Sequence, residues 1–205
     1  MRCALCLRWH AGASVLRCSH LNRALCILRN NCMLLFSKGD CFDLKIAELS
    51  DLLALLDSRL EQLMEQAESS IDADSLGIFD RAEYFIGVGF VAMQQYISDT
   101  MYKSEVSKRD ALNLGTVTLL GSTHISVINS AANWWKHESE WNWYSESGIS
   151  NKTYLSISNV VDPENYPLSN VLAFLIGERK FCLSSAIPLL EQWRDQFSAL
   201  PQGHT

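Results

Sequence analysis

The chain has no run approaching the roughly 18 consecutive apolar residues that a membrane-spanning helix needs. Its longest apolar candidate, Phe85 to Met93, is short and holds Gly87 and Gly89. Gly-x-Ser-x-Gly and Gly-Lys-Ser/Thr are both absent, which removes the serine-hydrolase elbow and the phosphate-binding loop. Glu-x-x-His and His-Glu-x-x-His are also absent, so the di-iron bundle and the zincin have no ligand set. After residue 32 only Cys41 and Cys182 remain, too few for a disulfide framework, and neither has a sequence-adjacent activator. A reducing, cytoplasmic setting fits best, with no metal and no cofactor implied.

Residues 1–32 lack Lys, Asp and Glu altogether. They carry five arginines and Cys3, Cys6, Cys18, Cys26 and Cys32. Their charge is +5, which leaves −11 for the rest of a chain whose total is −6. Three readings compete for this head. One is a zinc site from Cys3, Cys6, His10, Cys18 and His20, although the spacing does not repeat as paired knuckles. Another is an Arg-rich import peptide. The favoured one is text upstream of an internal start at Met33, and residues 1–32 are excluded from the fold argument on that ground. The acidic body argues against binding duplex nucleic acid through a broad basic face.

The body, about 42–200, reads as one helical domain. Leu49, Leu52, Leu53, Leu56, Leu60, Leu63 and Met64 recur at helical spacing and predict an amphipathic helix over 44–69. Phe79, Ala82, Ile86, Gly89, Phe90, Met93 and Ile97 predict a second over 76–102. The pair Gly87-x-Gly89 inside it reads as close helix packing, because no strand precedes it and no third glycine follows. Ser107-x-x-Asp110 can start a third helix, expected from about Ala111 to His137, with Gly115 and Gly121 against its first half. The Ser/Asn-rich stretch 148–161 reads as a long loop or a small β-hairpin over about 151–161. Pro167 and Pro188 suit the first turns of two further helices. The predicted fold is an all-α antiparallel bundle with that hairpin as a possible insertion.

What the chain has in plenty is tryptophan in one place. Four of its six tryptophans fall between Ala131 and Trp143, among Asn133, Lys136, His137 and Glu140. On a helical wheel, His124, Val127, Ile128, Ala131, Trp134 and Trp135 share one side. Asn129, Asn133, Lys136, His137 and Glu140 share a separate arc, with Trp134 at its edge. His124 and His137 lie about 20 Å apart along the axis and cannot share a metal. His124 reads as a core histidine with a bonded ring nitrogen. His137 is the candidate acid/base, Lys136 the candidate charge stabiliser and Asn133 the candidate orienter. Trp134, Trp135, Trp141 and Trp143 offer faces on which a base could stack, and Glu140 and Arg81 are further candidate substrate contacts. The competing reading is a solvated polar arc and tryptophans that fix a corner of the core.

Asn133-x-x-x-His137 on a helix of an acidic α-bundle resembles the motif helix of the HEPN superfamily. On that alignment Asn133 takes the polar position and His137 that of the catalytic histidine, while Ala132 stands where the family has arginine. Lys136 or Arg81 would then have to supply the charge. The resemblance implies a metal-independent ribonuclease or RNA-directed protein of bacterial toxin–antitoxin or phage-defence systems. RNA or an antitoxin would be the partner, and the protein would be a homodimer. Ala131 to Trp141 is also similar to a motif of uncharacterised bacterial proteins, Ala-Asn, two aromatics, Lys-His and Glu-Trp. The alternative is a non-catalytic interaction module, such as an immunity, antitoxin-like or scaffold protein. A small-molecule pocket lined by the aromatic cluster is a third, weaker option.

Overall fold

The computed structural model describes residues 34–37, 40–102, 104–118, 121–141 and 149–200. The Arg/Cys-rich head and Trp143 lie outside them. The chain divides into two compact units, one up to Ala47 and one from Glu48. In the first, β1 (Leu34–Ser37) pairs antiparallel with β2 (Asp40–Asp43). The Asp43 carboxylate then accepts from the Lys45 and Ile46 amides, each at 3.0 Å. An acidic side chain in that place satisfies amides that the first helical turn leaves unpaired.

The second unit is an all-α bundle. Its helices are α1 (Leu44–Ser69, most of which belongs here), α2 (Ile78–Met101), α3 (Lys108–Leu112) and α4 (His124–His137). They are followed by α5 (Ile149–Ser158), α6 (Pro167–Ile176) and α7 (Ile187–Ser198). No helix among the described residues is long and apolar enough to cross a membrane. The leucine stripe of α1 is buried at Leu49, Leu53, Leu56, Leu60 and Leu63. The prolines sit in the first turns of α6 and α7, and Gly177 closes α6, as their chemistry requires.

The core is tightest where α2 meets α4. The helices run antiparallel, with Gly87 beside Trp135 and Gln94 beside Asn129 and Asn133. A Cβ on Gly87 would fall 1.8 Å from Trp135 Cδ1. A Cβ on Gly89 would fall 2.6 Å from Leu183 Cδ2. Positions two apart point about 200° from one another on a helix. The glycine pair therefore lets α2 close on two neighbours at once, as the packing reading requires.

Two sequence expectations fail. The third helix does not run from Ala111 to His137. It is broken at 113–123, where Gly115 and Gly121 take positive φ and Val117 bridges Thr123. Thr123 then caps α4 by accepting from the Ser126 amide at 3.1 Å. The hairpin near 151–161 is also absent, because residues 149–158 form α5. Thr153 and Ile157, one turn apart, are buried, and Ser156 Oγ accepts from Ser130 of α4 at 2.9 Å. Packing against α4 overrides the β-branched composition of that stretch.

Two carboxylates on the long helices start the short ones. Glu83 of α2 accepts from the Leu168 amide (2.6 Å), the Ser169 amide (2.9 Å) and the Ser169 hydroxyl (2.5 Å) at the head of α6. Asp57 of α1 accepts from the Leu183 amide (2.6 Å), the Ser184 amide (3.0 Å) and the Ser184 hydroxyl (2.6 Å). Those residues open the 3-10 turn Leu183–Ala186 that leads into α7. Burial raises the Glu83 carboxyl above its ordinary value, against these hydrogen bonds and with a small push from Glu138. The folded state therefore holds this proton at a pH where the unfolded chain has released it. Stability from Glu83 is full below the ordinary glutamate value of about 4.3 and falls as pH rises through the elevated folded value. Thermal unfolding between pH 4 and 7 checks it: Glu83→Gln is expected to flatten that part of the profile.

Candidate functional site

The polar arc of α4 is real, but it divides into two clusters. At its centre is Gln94 of α2, which is buried. The Gln94 amide nitrogen donates to Asn129 Oδ1 (2.9 Å), Asn133 Oδ1 (3.0 Å) and the Asn129 carbonyl (3.2 Å). Gln94 Oε1 accepts from the Lys136 ammonium at 2.7 Å. Burial, with a contribution from Lys108, lowers the Lys136 pKa below the ordinary lysine value. Asn133 thus meets Gln94, which in turn accepts from Lys136, and no contact between Asn133 and the imidazole is seen among the described residues.

The second cluster lies one turn on, where α4 ends in the 3-10 turn Glu138–Glu140. His137 Nδ1 lies 3.1 Å from Glu140 Oε2, and the histidine side chain is 43% exposed. A carboxylate on Nδ1 fixes the ring and favours the tautomer whose Nε2 is the free proton acceptor. Glu140, a candidate substrate contact in the sequence, is the residue that meets the histidine.

The tryptophans divide as well. Trp134 is 1% exposed, stacks on Tyr154 (6.1 Å) and meets Trp141 edge-on (4.8 Å). It is a core residue and presents no face to a base. Trp135 is half-buried in the Gly87 notch, with Tyr84 edge-on at 5.5 Å. Trp141 is partly exposed. Arg81 is exposed one turn before Tyr84, and among the described residues no contact joins it to Lys136 or His137. Ala132 is fully buried.

His124 departs from expectation in two respects, the first being that the residue is half-buried rather than part of the core. Its ring packs edge-on to Phe174 at 6.2 Å, but Nδ1 is buried with no hydrogen-bond partner among the described residues. Sequence reasoning missed Gln94, whose only signal was one polar residue beside the apolar stripe Phe90, Met93 and Ile97. Among the described residues no group of three or more His, Cys, Asp or Glu side chains could hold a metal ion. No family model, curated protein or solved structure matches the chain.

Proposed function

We propose that this chain is a HEPN-like, RNA-directed protein whose chemistry lies at the C-terminal end of α4. The observation that carries the reading is the His137–Glu140 pair. A half-exposed imidazole is held on Nδ1 by a carboxylate, with no contact on Nε2 among the described residues, immediately after a lysine. A neutral Nε2 can accept the proton of a ribose hydroxyl, and an ammonium of lowered pKa can balance charge building on a phosphate. Gln94 and Asn133 position that ammonium. The bacterial conflict setting and the homodimer come from the resemblance alone, and the cytoplasmic setting from the two sparse cysteines of the body.

A second reading is favoured by the Gln94 network. Asn133 and Lys136 are engaged within the fold, as the corner of an interaction module would have them. Cleavage of a mixed RNA substrate by the wild type, His137→Ala and Lys136→Ala separates the two. The first reading expects His137→Ala to lose about 10²–10⁴-fold in rate, with its melting temperature nearly unchanged. No cleavage by the folded wild type, or equal rates in all three proteins, would overturn it in favour of the module.

A further inference from the structure

We infer that His124 is an acid-sensitive latch between α4 and α6, and that protonating it loosens the helix that carries Asn133, Lys136 and His137. The argument starts from position. His124 is the first residue of α4, where the helix presents unpaired amides and a partial positive charge. Its own amide donates to the Thr116 carbonyl at 3.0 Å, which ties the start of α4 to the chain before it. On the other side stands Phe174 of α6.

The residue is half-buried and Phe174 is partly exposed, but Nδ1 itself is buried without an acceptor among the described residues. As a bare nitrogen it costs little. As an N–H⁺ it would be a buried donor with nothing to receive it, a costly state. No charge offsets this. The helix α6 has no ionisable side chain, and neither have the described residues of the 113–123 turn. The charged group acting on the ring is Arg179, just after α6, and it is also a cation. Desolvation first, and Arg179 second, depress the histidine pKa.

Arg179 cannot simply retreat. Its guanidinium donates to the Ile176 carbonyl (3.1 Å) and the Ser185 carbonyl (2.7 Å), tying the end of α6 to the turn before α7. The relief open to a protonated His124 is to leave the seam, and the α4–α6 contact opens with it. The sign follows from the depressed value. Stability is full above the ordinary histidine value of about 6.5 and is lost as pH falls towards the folded value.

The test is amide hydrogen exchange of Val171 to Ile176 between pH 7.5 and 5, corrected for intrinsic rates, with the His124 ring titrated by NMR. The wild type is expected to show increased opening, by up to about tenfold for each pH unit between the unfolded and folded titration points. His124→Phe keeps a ring in place but takes no proton, and its corrected exchange should be flat with pH. His124→Gln gives the same reading should the Phe variant fail to fold. An ordinary titration of His124, or the same acid-induced opening in the variants, would overturn the latch. Because the readout is exchange in α6, it is independent of whether the protein cleaves RNA.

Discussion

Trp134→Ala will lower the stability of the fold by about 4 kcal/mol, the cost of deleting a large buried aromatic and leaving a cavity. For a domain of this size that is a fall in melting temperature of roughly 8–16 °C. The ring is 1% exposed and is held between Tyr154 and Trp141, so the cavity cannot collapse without moving α5. Thermal unfolding followed by circular dichroism checks it, and Trp134→Phe should recover part of the loss. Had this ring been a base-stacking platform, the substitution would leave melting unchanged and reduce RNA affinity. A shift of only a degree or two would show that the aromatic seam between α4 and α5 is not part of the core.

Gly87→Ala is expected to cost about 3 kcal/mol, although it adds a single methyl group. That carbon would fall within 2.5 Å of three atoms of the Trp135 indole. The half-buried indole must then swing out, and the helices lose the contact that sets their spacing. Melting should fall by roughly 6–12 °C, with a change in the near-ultraviolet tryptophan signal. The double variant Gly87→Ala, Trp135→Ala should cost clearly less than the two single changes combined, since the alanine methyl then occupies vacated space. Additive losses would mean that the glycine is not there for the indole.

Much of this fold could be read from the sequence, and the failures have physical causes. The leucine period gave α1 its full span, and Pro167 with Gly177 bounded α6, because a missing N–H and a free φ act locally. The break at 113–123 was less visible. Val117 and Thr118 are compatible with several conformations, and the stop comes from two glycines and a threonine cap acting together. The helix α5 was hidden because its Thr and Ile residues favour strands and its serines favour turns and caps, while its packing against α4 is not visible in the sequence. At the site, His137 and Lys136 were visible by type and spacing. Their partners were not equally visible. Glu140 lies three residues away and could be named, whereas Gln94 comes from 42 positions earlier and meets Lys136 only after the bundle has formed.

The carboxylates of Asp57 and Glu83 carry a consequence for how the chain is built. The helices they start are 12 and 10 residues long, lengths at which an isolated peptide in water is mostly coil. The first turn of α6 and the 3-10 turn that leads into α7 borrow acceptors made more than 80 residues earlier. During synthesis the α1–α2 half leaves the ribosome first and waits as a template. A truncated product ending before residue 160 would therefore expose apolar surface meant for α6 and α7, and would become a substrate for chaperones or proteases.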